Sequence, residues 1–300
     1  MLCGLVLVTA CTNSVTGPQS THGPGLTAAA ALGELRTVDF CSLLDASGAA
    51  GSGTVTKPSL FMLGACRAEV TDGASRFSVV AGPLSAGSDS GLSPYDYHGA
   101  ALPLGISVQR STVDAKQGCT RELAFNDGIR LALAASDLSG GVSSSPDARC
   151  AKADRLVAGA LAAITGQRVG HIAFDERSFG RLDACALLTD PDVDRVLGSG
   201  VNRNPDIGGH GCMTGSVSLT FMIGVSPAQP STDVLGGVPA AVDKVGAFCQ
   251  IVGSLPAPGS TAQAQTATVS VVNLSGVATD SDCATARAVA GPVFAKLPKP

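Results

Sequence analysis

Val38-Asp39-Phe40-Cys41-Ser42-Leu43-Leu44 returns at residues 182–188 as Leu182-Asp183-Ala184-Cys185-Ala186-Leu187-Leu188. The match extends outward. After the cysteines at 3 and 11, eight remain, and they fall into two sets of four: 41, 66, 119, 150 and 185, 212, 249, 283. Successive gaps are 25, 53 and 31 positions in the first set and 27, 37 and 34 in the second. Leu138-Ser139-Gly140 and Leu274-Ser275-Gly276 each stand shortly before the fourth cysteine. Beyond it, Leu156, Ala160, Leu161 and Ile164 repeat as Val289, Val293, Phe294 and Leu297, one helix face written twice. Three matches in the same order argue a duplicated unit.

Each unit reads alike. Asp39 or Asp183 can accept from the free N–H groups that open a short helix at the Asp-x-Cys. Strand-like runs follow at Gly64–Thr71, Arg76–Val80, Gly105–Arg110 and Gly128–Ala135, and later at Ser216–Ile223, Ala247–Val252 and Ala267–Asn273. A last helix closes each unit, over about 148–165 and 280–297. Strands in series with helices at the ends, and no βαβ alternation, predict an α+β fold. It comprises two tandem homologous units, 36–165 and 181–300, each an antiparallel sheet packed by an N-terminal and a C-terminal helix. Residues 166–180 link them.

An even cysteine count without CxxC or a His–Cys ligand pattern predicts disulfides and no metal centre; His210-Gly-Cys212 is one pair lacking a second. Spacing leaves three pairings open in each unit. We expect neighbours, Cys41–Cys66, Cys119–Cys150, Cys185–Cys212 and Cys249–Cys283, because each would staple an end helix to an adjacent strand. Loops of this length are each worth about 3.5 kcal/mol in the chain-entropy account.

The chain opens MLCGLVLVTACTN. Ten apolar residues rise about 15 Å as a helix, half a bilayer core, which suits a signal-peptide core and not a span. Val8-Thr9-Ala10-Cys11 resembles the bacterial lipobox, in which Cys11 takes a diacylglyceryl group and becomes the new N-terminus. Residues 1–10 are then a signal peptide whose basic n-region is missing here, since the first basic residue is Arg36. Residues 11–35 read as lipidated cysteine and flexible tether, about 27 Å in reach. Two or more palmitate-type acyl chains would make such an anchor stable.

Twenty basic and 24 acidic residues give a net charge of −4 with no basic block, which argues against nucleic acid as a partner. With nine Phe, two Tyr and no Trp, stacking platforms for sugars or bases are scarce. No G-x-S-x-G, HExxH, P-loop or dinucleotide pattern occurs. No catalytic residue and no cofactor is therefore expected, and His22, His98, His171 and His210 read as scattered loop residues. Ser93-Pro94-Tyr95-Asp96-Tyr97-His98-Gly99 holds both tyrosines, within a second-to-third cysteine gap that is 16 longer in the first unit (53 less 37). Inserted loops are where binding residues tend to sit, so Tyr95, Asp96, Tyr97 and His98 are candidate ligand contacts. The competing reading is that the tyrosines pack the loop down.

The lipobox, the Asp-x-Cys-x-Leu-Leu boxes, the strands and the cysteine-headed last helices together resemble an actinobacterial family of envelope lipoproteins. Its domain has no assigned function and is distantly similar to the extracellular sensor domains of actinobacterial Ser/Thr kinases. The resemblance covers about 36–300 as two copies, where many members carry one. It implies an extracytoplasmic, disulfide-bonded domain, lipid-anchored to the cell membrane, that binds something, with no catalytic residues to carry over. A binding or sensor module for an unknown envelope ligand or protein is the first expectation. A structural or assembly lipoprotein working through partners of an export or cell-wall machine is the second.

Overall fold

The computed structural model describes residues 25–86, 91–111, 118–139, 144–189, 191–198, 200–225, 231–257 and 263–299. The expected signal segment 1–10, the lipidation site Cys11 and the tether as far as residue 24 lie outside them. The first half contains α1 (Ala28–Leu32), β1 (Val38–Asp39), a 3-10 turn (Phe40–Leu43), α2 (Ala46–Ala50), β2 (Thr54–Val55), β3 (Ser59–Met62), β4 (Ala65–Asp72), β5 (Ser75–Ala86), β6 (Leu92–Pro94), β7 (Ser107–Ser111), β8 (Gly118–Ala124), β9 (Ile129–Asp137) and α3 (Pro146–Thr165). The second contains β10 (Gly170–His171), α4 (Ala184–Leu188), α5 (Pro191–Leu197), β11 (Arg203–Pro205), β12 (Gly211–Thr214), β13 (Val217–Val225), β14 (Asp233–Leu235), β15 (Val238–Val245), β16 (Phe248–Pro256), β17 (Gln263–Val272) and α6 (Asp280–Ala295).

The fold is α+β, with antiparallel sheets. One sheet runs β2-β4-β5-β9-β8-β7-β6, with β3 also paired to β4; the other runs β11-β12-β13-β17-β16-β15-β14. Position by position the two orders correspond. Alternation explains which faces are buried. Phe77, Val79 and Ala81 of β5 and Leu131, Leu133 and Ala135 of β9 turn inward, as do Ala267, Val269 and Val271 of β17. Onto these faces pack α3, with Leu156, Val157, Ala160 and Leu161, and α6, with Val289, Ala290, Val293 and Phe294. Ser145 caps α3 and Pro146 opens it; Thr279 and Asp282 form a capping box at α6.

The cysteines pair 41–66, 119–150, 185–212 and 249–283. Each bridge joins a helical segment to a strand: the Phe40–Leu43 turn to β4, α3 to β8, α4 to β12, and α6 to β16. Bridges of this kind are sustained in oxidising, extracytoplasmic compartments. Among the described residues no helix is long and apolar enough to cross a membrane.

Beyond several short strands and helical turns, three departures from the sequence reading have a clear physical cause. β8 is a central strand where none was expected, because Arg121 interrupts its apolar alternation. Arg121 occupies an inward position, and its charge is met by Asp154 of α3 at 2.8 Å. β15 was also missed, since Pro239 and the glycine pair at 236–237 read as a loop; Pro239 sits opposite Val234 of the short edge strand β14. The segment drawn as tether folds from residue 26 onward. Thr27 caps α1, Asp127 accepts from the Ala28 amide at 3.0 Å, and Ala28 and Leu32 are buried in the first core.

Residues 166–180 join the halves as an ordered strap. β10 pairs with β1, Phe179 is fully buried in the second core, and the Gln265 side chain accepts from the Phe179 amide and donates to the Arg177 carbonyl, both at 2.8 Å. The halves also meet directly. β3 lies against β13, and Leu63, from the turn between β3 and β4, is buried in the core of the second half. Arg36 pairs with Asp183 across the junction at 3.0 Å.

Candidate functional site: the cavity between the halves

A cavity of about 240 Å³ lies at this junction. The first half contributes Leu35, Phe40, Met62, Gly64, Pro83 and Leu84; the second contributes Asp206, Gly208, His210, Thr220, Phe221 and Met222. The contributors correspond in the two sheets. The connection from β2 to β4 faces the connection from β11 to β12, and β5 faces β13, the strand at the same place in the other sheet. The walls are mostly apolar, and two of the chain's four methionines are among them. Methionine is unbranched and polarizable, so it fits ligands of varied shape.

Besides Thr220 of β13, the polar wall comes from the loop 206–210. Its backbone is fixed by the Asp206 amide donating to the Gly211 carbonyl at 2.9 Å and by the Gly209 amide donating to the Asp206 carbonyl at 3.2 Å. Asp206 Oδ1 accepts from the His210 amide at 2.9 Å. Gly209 has φ +70°, and a Cβ there would stand 2.4 Å from the Arg36 guanidinium, so the loop needs glycine at this place.

His210 is only 4% exposed. Its Nε2 lies 3.0 Å from the Arg36 carbonyl oxygen, which can only accept, so Nε2 carries the proton. Nδ1 is then a lone-pair acceptor, sealed from solvent and without a hydrogen-bond partner among the described residues. The ring stands edge-on to Phe174, centroids 5.9 Å apart. Burial pushes its pKa below the ordinary histidine value, partly offset by the Arg36 carbonyl, so the ring is neutral near pH 7. Asp206 moves the other way. Packing against the cavity wall pushes its carboxyl above the usual carboxylate range, and the backbone amides of His210, Gly209 and Gly211 partly offset this. The residue stands at the rim and is exposed to solvent.

The four candidate contacts of the 95–98 loop lie outside this cavity. Tyr95 is half-buried. Its hydroxyl donates to Asp154 Oδ2 at 3.0 Å, and the Arg121 guanidinium stacks 3.9 Å over its ring. Tyr97 packs against the first core, and desolvation raises its pKa. Asp96 and His98 stand free of the body, with side chains 91% and 83% exposed and 3.7 Å between them. The loop is therefore pinned by its tyrosines, while its two titratable tips meet solvent. Residues 95–106 connect β6 to β7 where the other sheet has only the glycine pair 236–237 between β14 and β15. His171 bonds Thr37 Oγ1 through Nδ1 at 2.9 Å and takes no part in the cavity. Among the described residues no cluster of His, Cys, Asp and Glu has the arrangement of a metal site.

Sequence reasoning took His210 for a solvated loop residue and gave no role to Asp206 or the methionines. The signal was faint: Asn204-Pro205-Asp206-Ile207-Gly208-Gly209-His210-Gly211-Cys212 places a histidine among glycines beside a bridged cysteine. No family model matches the chain, and no curated protein or solved structure does either.

Proposed function

We propose that the chain is a lipid-anchored cell-envelope protein of binding or sensor type. It is held on the extracytoplasmic face of the membrane through Cys11 and captures a small, largely apolar ligand between its two units. The observation that carries this reading is the apolar cavity to which corresponding segments of both units contribute; clefts between such units are common ligand sites. The lipobox resemblance, the resemblance to actinobacterial envelope lipoproteins and the four bridges support the location. A catalytic reading gains little from His210, whose Nε2 is held by a backbone carbonyl and whose Nδ1 is sealed.

One experiment addresses anchor and ligand together. The protein, supplied with a complete export signal in a related host, is extracted from membranes and weighed by native and denaturing mass spectrometry. The denatured mass is expected to carry a diacylglyceryl group on Cys11, and the native mass an additional small molecule that leaves on unfolding. A mature chain without lipid would refute the anchor.

A second reading, an assembly lipoprotein acting through protein partners, is favoured by one feature. Val245, Phe248, Leu274 and Val277 are exposed at one end of the second sheet, Leu274 by 92%. The Asn273 and Ala278 amides tie their two loops together by donating to the Ala247 and Gly246 carbonyls, at 2.8 and 2.9 Å. Exposed clusters of this kind mark contact surfaces. Cross-linking from Leu274 to a single envelope protein, with no ligand in the native mass, would favour this reading.

A further inference from the structure

We propose that the ligand of the inter-unit cavity is a small amphiphile with an aromatic or aliphatic body and a cationic amine head, the head meeting Asp206. This rests on the cavity being the ligand site. Its size sets the body. An apolar cavity of about 150 Å³ holds benzene. One of about 240 Å³ therefore takes a ring with a short chain, on the order of ten non-hydrogen atoms. Leu35, Phe40, Met62, Leu84, Phe221 and Met222 offer that body nothing polar.

Charge sets the head. Among the described residues no lysine or arginine forms an ion pair with the Asp206 side chain. The carboxyl stands at the rim of the cavity, and a bound cation would supply the counter-charge. The nearby cation is already matched: Arg36 is paired with Asp183 at 3.0 Å. His210 is neutral and holds its proton on the Arg36 carbonyl, so it neither repels an amine nor attracts a carboxylate. An anionic head would stand beside an uncompensated carboxylate.

Three probes share one body and differ in the head: phenethylamine, phenethyl alcohol and phenylacetate. Each is titrated into the exported, disulfide-bonded protein by calorimetry, and again into Asp206→Asn and Met222→Trp. The amide of the Asp206→Asn variant keeps an oxygen to accept from the His210 backbone N–H, so the loop is retained, and melting curves check that Met222→Trp still folds. The expected result is phenethylamine at least about tenfold tighter than phenethyl alcohol, the worth of one charge-assisted hydrogen bond, with phenylacetate weakest. Asp206→Asn should erase the preference by weakening phenethylamine about tenfold, with a smaller loss for the alcohol, whose hydroxyl makes only a neutral donor; Met222→Trp, folded, should abolish binding of all three. Equal binding of amine and alcohol, or a preference that survives Asp206→Asn, overturns the amine head while leaving the cavity as the site. Amine binding that survives in folded Met222→Trp places it elsewhere and overturns the proposal. Binding of none of the three overturns the proposal and the cavity reading together.

Discussion

Leu63 belongs to the first half by sequence and to the second by packing. It sits in the turn between β3 and β4, is 3% exposed, and is buried among the apolar residues of the second core. Leu63→Ala removes three buried carbons. At about 0.8 kcal/mol per methylene the transfer loss is about 2.4 kcal/mol, and the cavity left behind brings the expected cost to about 2–5 kcal/mol. Leu60, three positions earlier on β3, is half-buried and packs against the first core, so Leu60→Ala is the natural control. The assay is denaturant unfolding with disulfides intact, joined to native-state hydrogen exchange. Leu63→Ala should lower stability by the stated amount and speed exchange chiefly in β12, β13, β17 and α6. Leu60→Ala should cost less and act on β4 and β5. A Leu63→Ala cost below about 1 kcal/mol, or faster exchange confined to the first sheet, would refute the claim that the halves share a core at this residue.

Replacing Cys249 and Cys283 by serine opens a loop of 34 residues and should lower stability by about 2–4 kcal/mol; in the native protein all eight of these cysteines should resist alkylation until reduced. His210, with a pKa below its unfolded value of 6.5, should make the fold acid-sensitive. Stability is complete above 6.5 and falls as pH drops toward the folded pKa, because the unfolded chain takes up a proton that the folded one refuses. In His210→Gln that loss between 6.5 and the folded value should vanish from pH-dependent melting curves, leaving the carboxylate effects at lower pH. Tyr95→Phe, which forfeits the hydroxyl bond to Asp154, should cost about 1–2 kcal/mol in chemical denaturation, whereas alanine at both Asp96 and His98 should stay within about 0.5 kcal/mol.

Much of the fold was legible because repetition doubles weak signals. Either Asp-x-Cys box alone is three ordinary residues; two of them, each followed by three more cysteines and a matching helix face, fix which segments correspond. What stayed hidden has physical causes. Arg121 in an inward position of β8 contradicts the alternation that announces a strand, and its partner Asp154 is 33 residues away, so no local window can see the compensation. α1 is an alanine run whose docking depends on Asp127, 99 residues on. The cavity is harder still, since its walls come from separate segments and its polar edge from a glycine-rich loop that reads as solvent-exposed. Tyr95 was conspicuous by rarity, yet the loop it carries is tied down by Asp154 and Arg121.

The correspondence of the two halves bears on what they do together. β5 and β13 hold the same place in their sheets, and both line the cavity; so do the connections that lead into β4 and β12. A junction made of matching parts would, with identical chemistry, accept a ligand in either direction. Here the chemistry is unequal. The first half offers Met62, Gly64, Pro83 and Leu84, all apolar, while the second places Asp206 and His210 opposite them. Unequal walls on matching frames give the cavity one apolar side and one polar edge, and hence a single orientation for anything bound. The two halves also share Leu63, the Arg36–Asp183 pair and the strap through Phe179. Neither half alone would keep the cavity or its polarity.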